Sequence, residues 1–445
     1  MLVRFYKSLY LNSNLFYAVG VVVFLYLIGY QFATVYVLAH FALIGLSILV
    51  GLEVLILYRI DKGISGTRVA AERFSNGDQN TVTLHISNHY PQKVTVEIID
   101  EVPIQFQARE HSFQAKLAKR GVKTLQYQLR PTERGAYSFG HINVFASTSM
   151  HLVQRRFEAG EVTTVAVYPS FLQTKEYEFL AISNDLQQLG VKKIRRIGHN
   201  YEFDHIRKFV IGDDYRSINW KATARTGDVM MNQFQDEKSQ NVYAVINMGR
   251  VMKMPFEGLT LLDYAINSSL VILNTAMLRD DRAGLVTFNE EVQSVLRASK
   301  SKGHLTSIME TLYAQKTKFG EGNYERLYYR IHKEIGQRSL LFLYTNFESM
   351  VSLKREMHAL ISLSRNHLLV VVLFKNTELE SITKARARNV EELYIKTIAN
   401  KFQNEKELIA KELEVHGIHS ILTEPGNLTV NSINKYLELK ARGLI

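Results

Sequence analysis

The chain has 445 residues and no cysteine. That excludes disulfides and thiolate metal sites and fits a reducing compartment. Tryptophan occurs once, at Trp220, and proline six times. No Gly-x-x-x-x-Gly-Lys-Ser/Thr loop is present, so the sequence shows no cradle for a nucleotide of that kind. There is no His-Glu-x-x-His helix and no Gly-x-Ser-x-Gly nucleophile turn. The 14 histidines show no ligand spacing, and no internal repeat or low-complexity tract appears. Charge is also missing where it matters most: from Asn14 to Tyr58 the chain is almost uncharged.

What is present suits two or three domains by length. The net charge is +11. Such a balance fits a membrane surface or a nucleic acid, although near membrane spans basic residues mainly set orientation. Leu15–Tyr30 and Val35–Leu57 are two apolar runs, each close to the roughly 20 residues that cross a bilayer as a helix. A short Gln31–Thr34 turn joins them, which predicts a hairpin. Arg4 and Lys7 precede the first run, and Arg59, Lys62 and Arg68 follow the second. The positive-inside tendency then places both termini and the body on the cytoplasmic side. A signal peptide is disfavoured, because no small-residue cleavage site follows and a second span comes at once. His40 and Glu53 interrupt the second run. Both lie toward its ends, where headgroups and water are near, so interfacial placement is the expectation.

After a polar joint the pattern changes to period two. Thr81–Ser87, Lys93–Ile98, Lys123–Leu129, Ala136–Phe145 and Val162–Val167 read as strands, with Pro91, Pro103, Pro131 and Pro169 between or at the ends of the runs. This is the rhythm of a β-sandwich, and no catalytic constellation appears in it. From Asn241 strands and helices alternate. Val242–Ile246, Ala283–Phe288, Ser339–Tyr344, His367–Leu373 and Ser420–Leu422 are strands. Leu259–Leu278, Gly303–Tyr313, Tyr324–Ile335, Val351–Ser364, most of Glu378–Val415 and Leu428–Lys440 are helices. The alternation implies a parallel sheet covered on both faces, with any ligand beyond the carboxyl ends of its strands. The expected order is a transmembrane hairpin over 1–60, a sandwich over 61–175, a linking segment over 176–238 and an α/β domain over 239–445.

The linking segment holds the densest mixture of charged, polar and aromatic residues, in Gly-Asp-Asp-Tyr-Arg-Ser-Ile-Asn-Trp-Lys-Ala-Thr-Ala-Arg-Thr-Gly from Gly212 to Gly227. Asp213 and Asp214 sit where a helix can begin, and Gly227 where it can end. One reading is a self-buttressing linker: acids capping, Arg216 and Arg225 pairing with acids, Trp220 packed as a plug. The other is a docking surface for a partner or an anionic ligand. Lys192, Lys193, Arg195, Arg196, Arg207, Lys208, Arg216 and Lys221, with Tyr201, Phe203 and Phe209 among them, resemble a nucleic-acid surface. Glu202, Asp204, Asp213 and Asp214 lie between them as pairing acids, so no nucleic acid is expected.

These residues carry a resemblance. Glu202, Phe203, Arg207, Gly212, Asp213, Asp214, Arg216, Ile218, Trp220, Lys221, Ala224 and Arg225 match the signature of the bacterial domain-of-unknown-function family fifty-eight, with Phe209 at its tyrosine position. The likeness takes in most of the chain in the same order of parts. Thr132–Gly140 is similar to the family's Arg-Gly-x-Tyr turn, whereas Ser147–Leu152 departs from its Asp-Pro-Phe-Gly-Leu. The C-terminal region resembles the von Willebrand factor A-like domain of that family, which often holds a divalent cation. At the positions of the metal pattern stand Asn247, Gly249, Val251, Asn323 and Asn346. Amide oxygens hold magnesium or calcium weakly without carboxylates. Asp263 and Glu348 are the nearby acids, and a lost metal is the expectation. The family implies MoxR-type AAA+ ATPases and related A-domain proteins as partners.

The reading is a non-enzymatic membrane scaffold or adaptor, with no cofactor. Its partner-binding or interdomain residues are Arg207, Asp213, Asp214, Arg216, Trp220, Lys221 and Arg225. Two alternatives stay open: an envelope hydrolase using Asp213, Asp214 and Lys221 as acid, base and charge stabiliser, and a cation-dependent adhesion module centred on Asn247 and Asn346.

Overall fold

The structure is a computed structural model that describes residues 2–107, 112–170, 202–210, 213, 215–235, 239–301, 303–315, 317, 319–384, 386–387 and 389–444. The chain divides into two units, Met1–Tyr168 and Pro169–Ile445.

The first unit begins with helix α1 (Leu2–Ser8), strand β1 (Leu9–Leu11) and the helices α2 (Ser13–Gly29) and α3 (Ala33–Tyr58). Asn12 caps α2 by accepting from the Ser13 N–H at 2.7 Å. The turn between α2 and α3 is tight at Gly29, where a Cβ would fall 2.7 Å from the Tyr36 Cα. α3 is long and apolar enough to cross a membrane, with mean hydropathy 2.4, and α2 is a shorter apolar helix. The side chains of both are mostly exposed, as befits an apolar environment that the protein itself does not supply.

The strands that follow form two layers. They are β2 (Ile64–Val69), β3 (Arg73–Ser75), β4 (Asn80–Asn88), β5 (Val94–Asp100), β6 (Ser112–Leu117), β7 (Val122–Leu129), β8 (Gly135–Phe139), β9 (Ile142–Ser147), β10 (Val153–Ala159) and β11 (Thr163–Tyr168). One sheet runs β1-β10-β9-β5-β6; two three-stranded sheets run β2-β4-β7 and β3-β11-β8. Alternation explains the core. Val82, Leu84 and Ile86 of β4 are fully buried between more exposed neighbours, as are Val96 and Ile98 of β5. Ala136–Phe145, expected as one strand, is two, broken at Gly140 and His141. β2, β6 and β10 escaped the period-two pattern because charged and small residues occupy positions the sheet covers. Arg68 of β2 is such a case: its guanidinium is buried against the Asp100 carboxylate, its Nε donating at 3.1 Å, and it donates to the Gly140 carbonyl at 3.0 Å. This cation, counted above toward membrane orientation, lies inside the sandwich.

Glu53 corrects the expectation of interfacial placement. It is wholly buried, near the end of α3. Its Oε1 accepts from the Thr148 hydroxyl at 2.6 Å and N–H at 3.3 Å, and its Oε2 from the N–H groups of Leu152 at 3.0 Å and Val153 at 3.2 Å. One turn further on, Arg155 of β10 donates to the carbonyls of Leu57 at 2.7 Å, Ile60 at 2.8 Å and Asp61 at 3.0 Å. Helix ends leave such carbonyls without partners, and a cation there complements the helix dipole. The Tyr58 and Phe157 rings lie 4.4 and 4.6 Å from that guanidinium, a cation–π arrangement. His40 contacts the Tyr26 and Tyr36 rings.

In the second unit β12 (Glu202–Lys208) and β13 (Met230–Gln235) form an antiparallel pair. Between them lie a 3₁₀ turn, Tyr215–Ser217, and α4 (Trp220–Thr226). The α/β region contains β14 (Asn241–Asn247), the short ladder β15 (Pro255–Phe256) and β16 (Leu259–Thr260), α5 (Leu261–Leu278), β17 (Arg282–Phe288), β18 (Val292–Ser299), α6 (His304–Ala314), α7 (Tyr324–Glu334), β19 (Leu340–Tyr344), α8 (Met350–Asn366), β20 (Leu368–Phe374), α9 (Thr377–Lys384), α10 (Val390–Val415), β21 (His419–Thr423) and α11 (Leu428–Ala441). The six-stranded sheet runs β18-β17-β14-β19-β20-β21. Five strands are parallel; β18 is an antiparallel edge, half-exposed along its length, and so carries no buried-strand signal. β14 is buried from Val242 onward: Val242, Ala244 and Ile246 face a core shared with α5 and α11, and Tyr243 and Val245 one shared with α7, α8 and α10. α5 is apolar enough to be mistaken for a span, but 83% of that stretch is buried.

Glu53→Ala is expected to leave several buried donors without an acceptor, a cost of about 3 kcal/mol. The melting temperature of the full chain in detergent should fall by roughly 10 °C. An unchanged melt would mean that this carboxylate does not hold the helix to the sandwich.

Candidate functional site

Asn219, not Asp213 or Asp214, caps α4. Its Oδ1 accepts from the Ala222 N–H at 3.0 Å, its Nδ2 donates to Asn232 Oδ1 at 2.8 Å, and its own N–H donates to the Met230 carbonyl at 2.8 Å. Gly227 ends the helix in the left-handed region, at φ 76°, as its position suggested. Thr223 stitches the helix to β13, accepting from the Met230 N–H at 3.0 Å. Ile218 bridges to Met231. The hairpin and its own polar groups therefore hold the loop.

Asp213 serves the loop instead. Its Oδ1 accepts from Arg207 Nη2 at 2.7 Å and its Oδ2 from the Val210 N–H at 2.9 Å. The Arg207 guanidinium, and after it that N–H, hold the Asp213 carboxyl below its usual range. It is therefore a carboxylate at neutral pH, the wrong state for a general acid, and its cation is Arg207 rather than Arg216 or Arg225. Asp214 and Gly212 lie outside the described residues, as do Lys192, Lys193, Arg195 and Arg196.

Trp220 is not a plug. It is 71% exposed, and Tyr215 is 69% exposed. Lys221, Arg225 and Arg216 are exposed too, the Arg216 guanidinium lying 5.8 Å from the Tyr215 ring centre. Val210 and Val229 add exposed apolar surface to the same connection.

The strand-end positions of the α/β region are filled from within. Asn247 is buried; its Nδ2 donates to the Tyr324 hydroxyl and to Thr345 Oγ1, both at 3.0 Å, and its Oδ1 accepts from the Gly249 N–H at 2.8 Å. Gly249 and Gly322 let two loops close over this amide: a Cβ on Gly322 would lie 2.9 Å from Asn247 Nδ2, and one on Gly249 2.9 Å from the Gly320 carbonyl oxygen. Asn323 caps α7 through the Arg326 N–H at 3.0 Å. Val251 lies on a 3₁₀ turn and lines a cleft of about 200 Å³ beside Asn247 and Asn346. Asn346 Oδ1 accepts from the Lys406 ammonium at 2.5 Å, and the Phe347 carbonyl accepts from the same ammonium. Asp263 is in a capping box with Thr260. A divalent ion does not fit this donor set. One amide oxygen faces a backbone N–H and the other a lysine cation, and neither brings the negative charge of a carboxylate.

Lys406 was missed from sequence. It stands 60 residues beyond Asn346 on a helix dense in both charges, where one more lysine carries no signal. Burial pushes its ammonium down to about 8, outweighing the opposing pull of Glu348 and Glu405.

Residues 205–405 match the family described as Protein of unknown function DUF58. The expected resemblance thus holds from β12 to α10, a smaller share of the chain than the signature suggested. The chain is 25% identical over 172 residues to the Uncharacterized protein YeaD of Bacillus subtilis, a match that takes in 38% of this chain and 40% of that relative. The solved structure of the conserved hypothetical protein BatB from Bacteroides thetaiotaomicron is similar over 46% of this chain and all of its own, at 12% identity and a TM-score of 0.31. The CARDB domain of PF1109 from Pyrococcus furiosus is similar over 24% of this chain and 94% of its own, at 14% identity and a TM-score of 0.17. Neither structural likeness is close enough to define a fold.

Asn247→Ala strips three partners of their buried contact and is expected to cost about 2 kcal/mol, read as a lower melting temperature. Millimolar magnesium or manganese should leave the wild-type melt unmoved, since only a ligand of the folded state raises it. A metal-dependent rise would reinstate a cation site.

Proposed function

We propose that the chain is a membrane-anchored scaffold or adaptor without catalytic activity of its own, and that the connection between β12 and β13 docks its partner. The observation that supports this most is the exposure of Trp220. A lone tryptophan left 71% exposed on a short helix capped at both ends by other residues is costly as structure. It is the residue type that most often anchors an interface. Lys221, Arg225, Arg216 and Tyr215 surround it in sequence, a composition suited to a partner with acidic and apolar surface.

In this reading α2 and α3 form a two-pass hairpin in a bacterial inner membrane, with both termini and the body in the cytoplasm. The α/β region is a von Willebrand factor A-like domain that acts without a cation. Family analogy names a MoxR-type AAA+ ATPase, with related A-domain proteins, as the partner in assembling or remodelling membrane or envelope complexes. That analogy rests on the DUF58 match and not on any site.

A detergent pull-down of the tagged full chain, beside Trp220→Ala and Lys221→Glu, tests it. Because Trp220 is the only tryptophan, tryptophan emission excited beyond the tyrosine band reports on it alone in this chain. The expected result is water-exposed emission in the free protein, a blue shift when the partner is added, and loss of co-purification in variants that melt like wild type. Blue-shifted emission in the free protein, or early melting of Trp220→Ala, would make the residue structural and remove the docking site.

A further inference from the structure

A second cleft, of about 510 Å³, opens at the carboxyl ends of β19 and β20. Ligands of open α/β sheets bind at such ends. One wall is apolar, from Met254, Leu261, Phe374, Leu379 and Phe402. Met254 and Phe402 are 43% and 46% exposed there. The other wall carries Lys406, tethered to Asn346 and to the Phe347 carbonyl at the end of β19.

The charges of this cleft are not equivalent. Glu348, Lys375 and Glu407 line it but are exposed, so solvent and salt screen them. Lys406 is half-buried. Its two acceptors are dipoles, not anions. Among the described residues no carboxylate lies within ion-pair distance of its nitrogen. Glu405, its neighbour on α10, is turned to the start of α8, where it accepts from the Met350 N–H at 2.9 Å. Removing a cation from water without an anion is unfavourable, and an ammonium has three N–H donors, of which this one uses two. The third is available to a ligand. A site with an apolar wall and one placed polar group is the common form of a small-molecule pocket.

We propose that this cleft binds a small apolar carboxylate, whose acid pairs with the Lys406 ammonium while its tail lies on Met254, Leu261, Phe374, Leu379 and Phe402. The inference is independent of the docking role given to Trp220, because it concerns the opposite end of the DUF58 match and a different chemistry. It also gives the cation at this strand end a function: Lys406 acts as a fixed positive charge that recognises an anion.

The test compares N-acetyl-L-leucine with N-acetyl-L-leucinamide, which differ in charge but not in tail. Each is titrated calorimetrically into the full chain in lipid nanodiscs, with empty nanodiscs as the blank. The acid is expected to bind about tenfold or more tightly than the amide, the scale of a hydrogen bond to a charged group. Lys406→Met, which keeps an apolar stem, should abolish that preference, and Leu379→Asp should weaken both ligands. The preference should also fade as pH rises through about 8, where the Lys406 ammonium is lost. Among the described residues the charged groups around it are Glu348 after β19, Lys375 after β20, and Glu405 and Glu407 on its own helix. Equal binding of acid and amide, binding of neither at millimolar concentration, or a preference that survives in Lys406→Met would overturn the proposal. If Lys406→Met does not fold, the wild-type comparison decides alone: equal binding of acid and amide rejects it.

Discussion

A carboxylate at the end of an apolar helix organises the first unit. Glu53 takes four hydrogen bonds from Thr148, Leu152 and Val153, and Arg155, two residues on, seals the helix end. The two charged groups work in opposite senses on one joint. The acid collects N–H groups from a loop that leaves a strand, and the base collects carbonyls from a helix that has run out of partners. Neither charge is neutralised by the other: backbone N–H groups and the Thr148 hydroxyl hold the acid, and backbone carbonyls, with the Asp61 carboxylate 3.6 Å away, hold the base. α3 is therefore held to the sandwich without a covalent cross-link, in a chain that has no cysteine to make one. A buried charge satisfied by backbone in this way specifies one geometry, since any slip of the helix leaves several polar groups unpaired at once.

The same logic recurs at the strand ends of the α/β region. Asn247 takes its partners from three different elements: a glycine just beyond its own strand, a tyrosine of α7 and a threonine after β19. An amide can do this because it carries both donors and an acceptor; a carboxylate at that position would face two hydroxyls and an N–H and would need them all to donate. The neighbouring Asn346 meets a lysine. A tethered ammonium holds the loop as an ion would, but its charge is single and its position is set by α10.

Much of this was legible. The apolar runs, the switch from period two to alternating elements, and the glycine that ends α4 follow from patterns whose physical cause is local. Val292–Ser299 was not, because an edge strand half open to solvent has no reason to be apolar. Nor was the role of Glu53. Sequence shows only an acid near the end of an apolar run, and the usual inference is that water or headgroups reach it. What replaces water here is the stretch Thr148–Val153, 95 to 100 residues away. A long-range acceptor–donor match of this kind leaves no periodic trace. Lys406 was hidden for the same reason, and Asp213 was misjudged because an acid before a helix is read as a cap when Asn219, six residues later, takes that role.

The exposure of Trp220 follows from that last point. Had Asp213 or Asp214 capped the helix, α4 would have begun earlier and its first turn would have needed an anchor in the core. With Asn219 as the cap, the helix starts at the tryptophan itself. Its backbone is fixed by Asn219, Thr223 and the ladder to β13, all of them polar contacts that ask nothing of the indole ring. Arg207 and Asp213 fix the other arm of the connection in the same manner. The polar residues of the signature thus account for the shape of the loop. Trp220, Tyr215, Lys221 and Arg225 stay exposed on a backbone that these contacts fix, and a surface fixed before binding loses little entropy on binding.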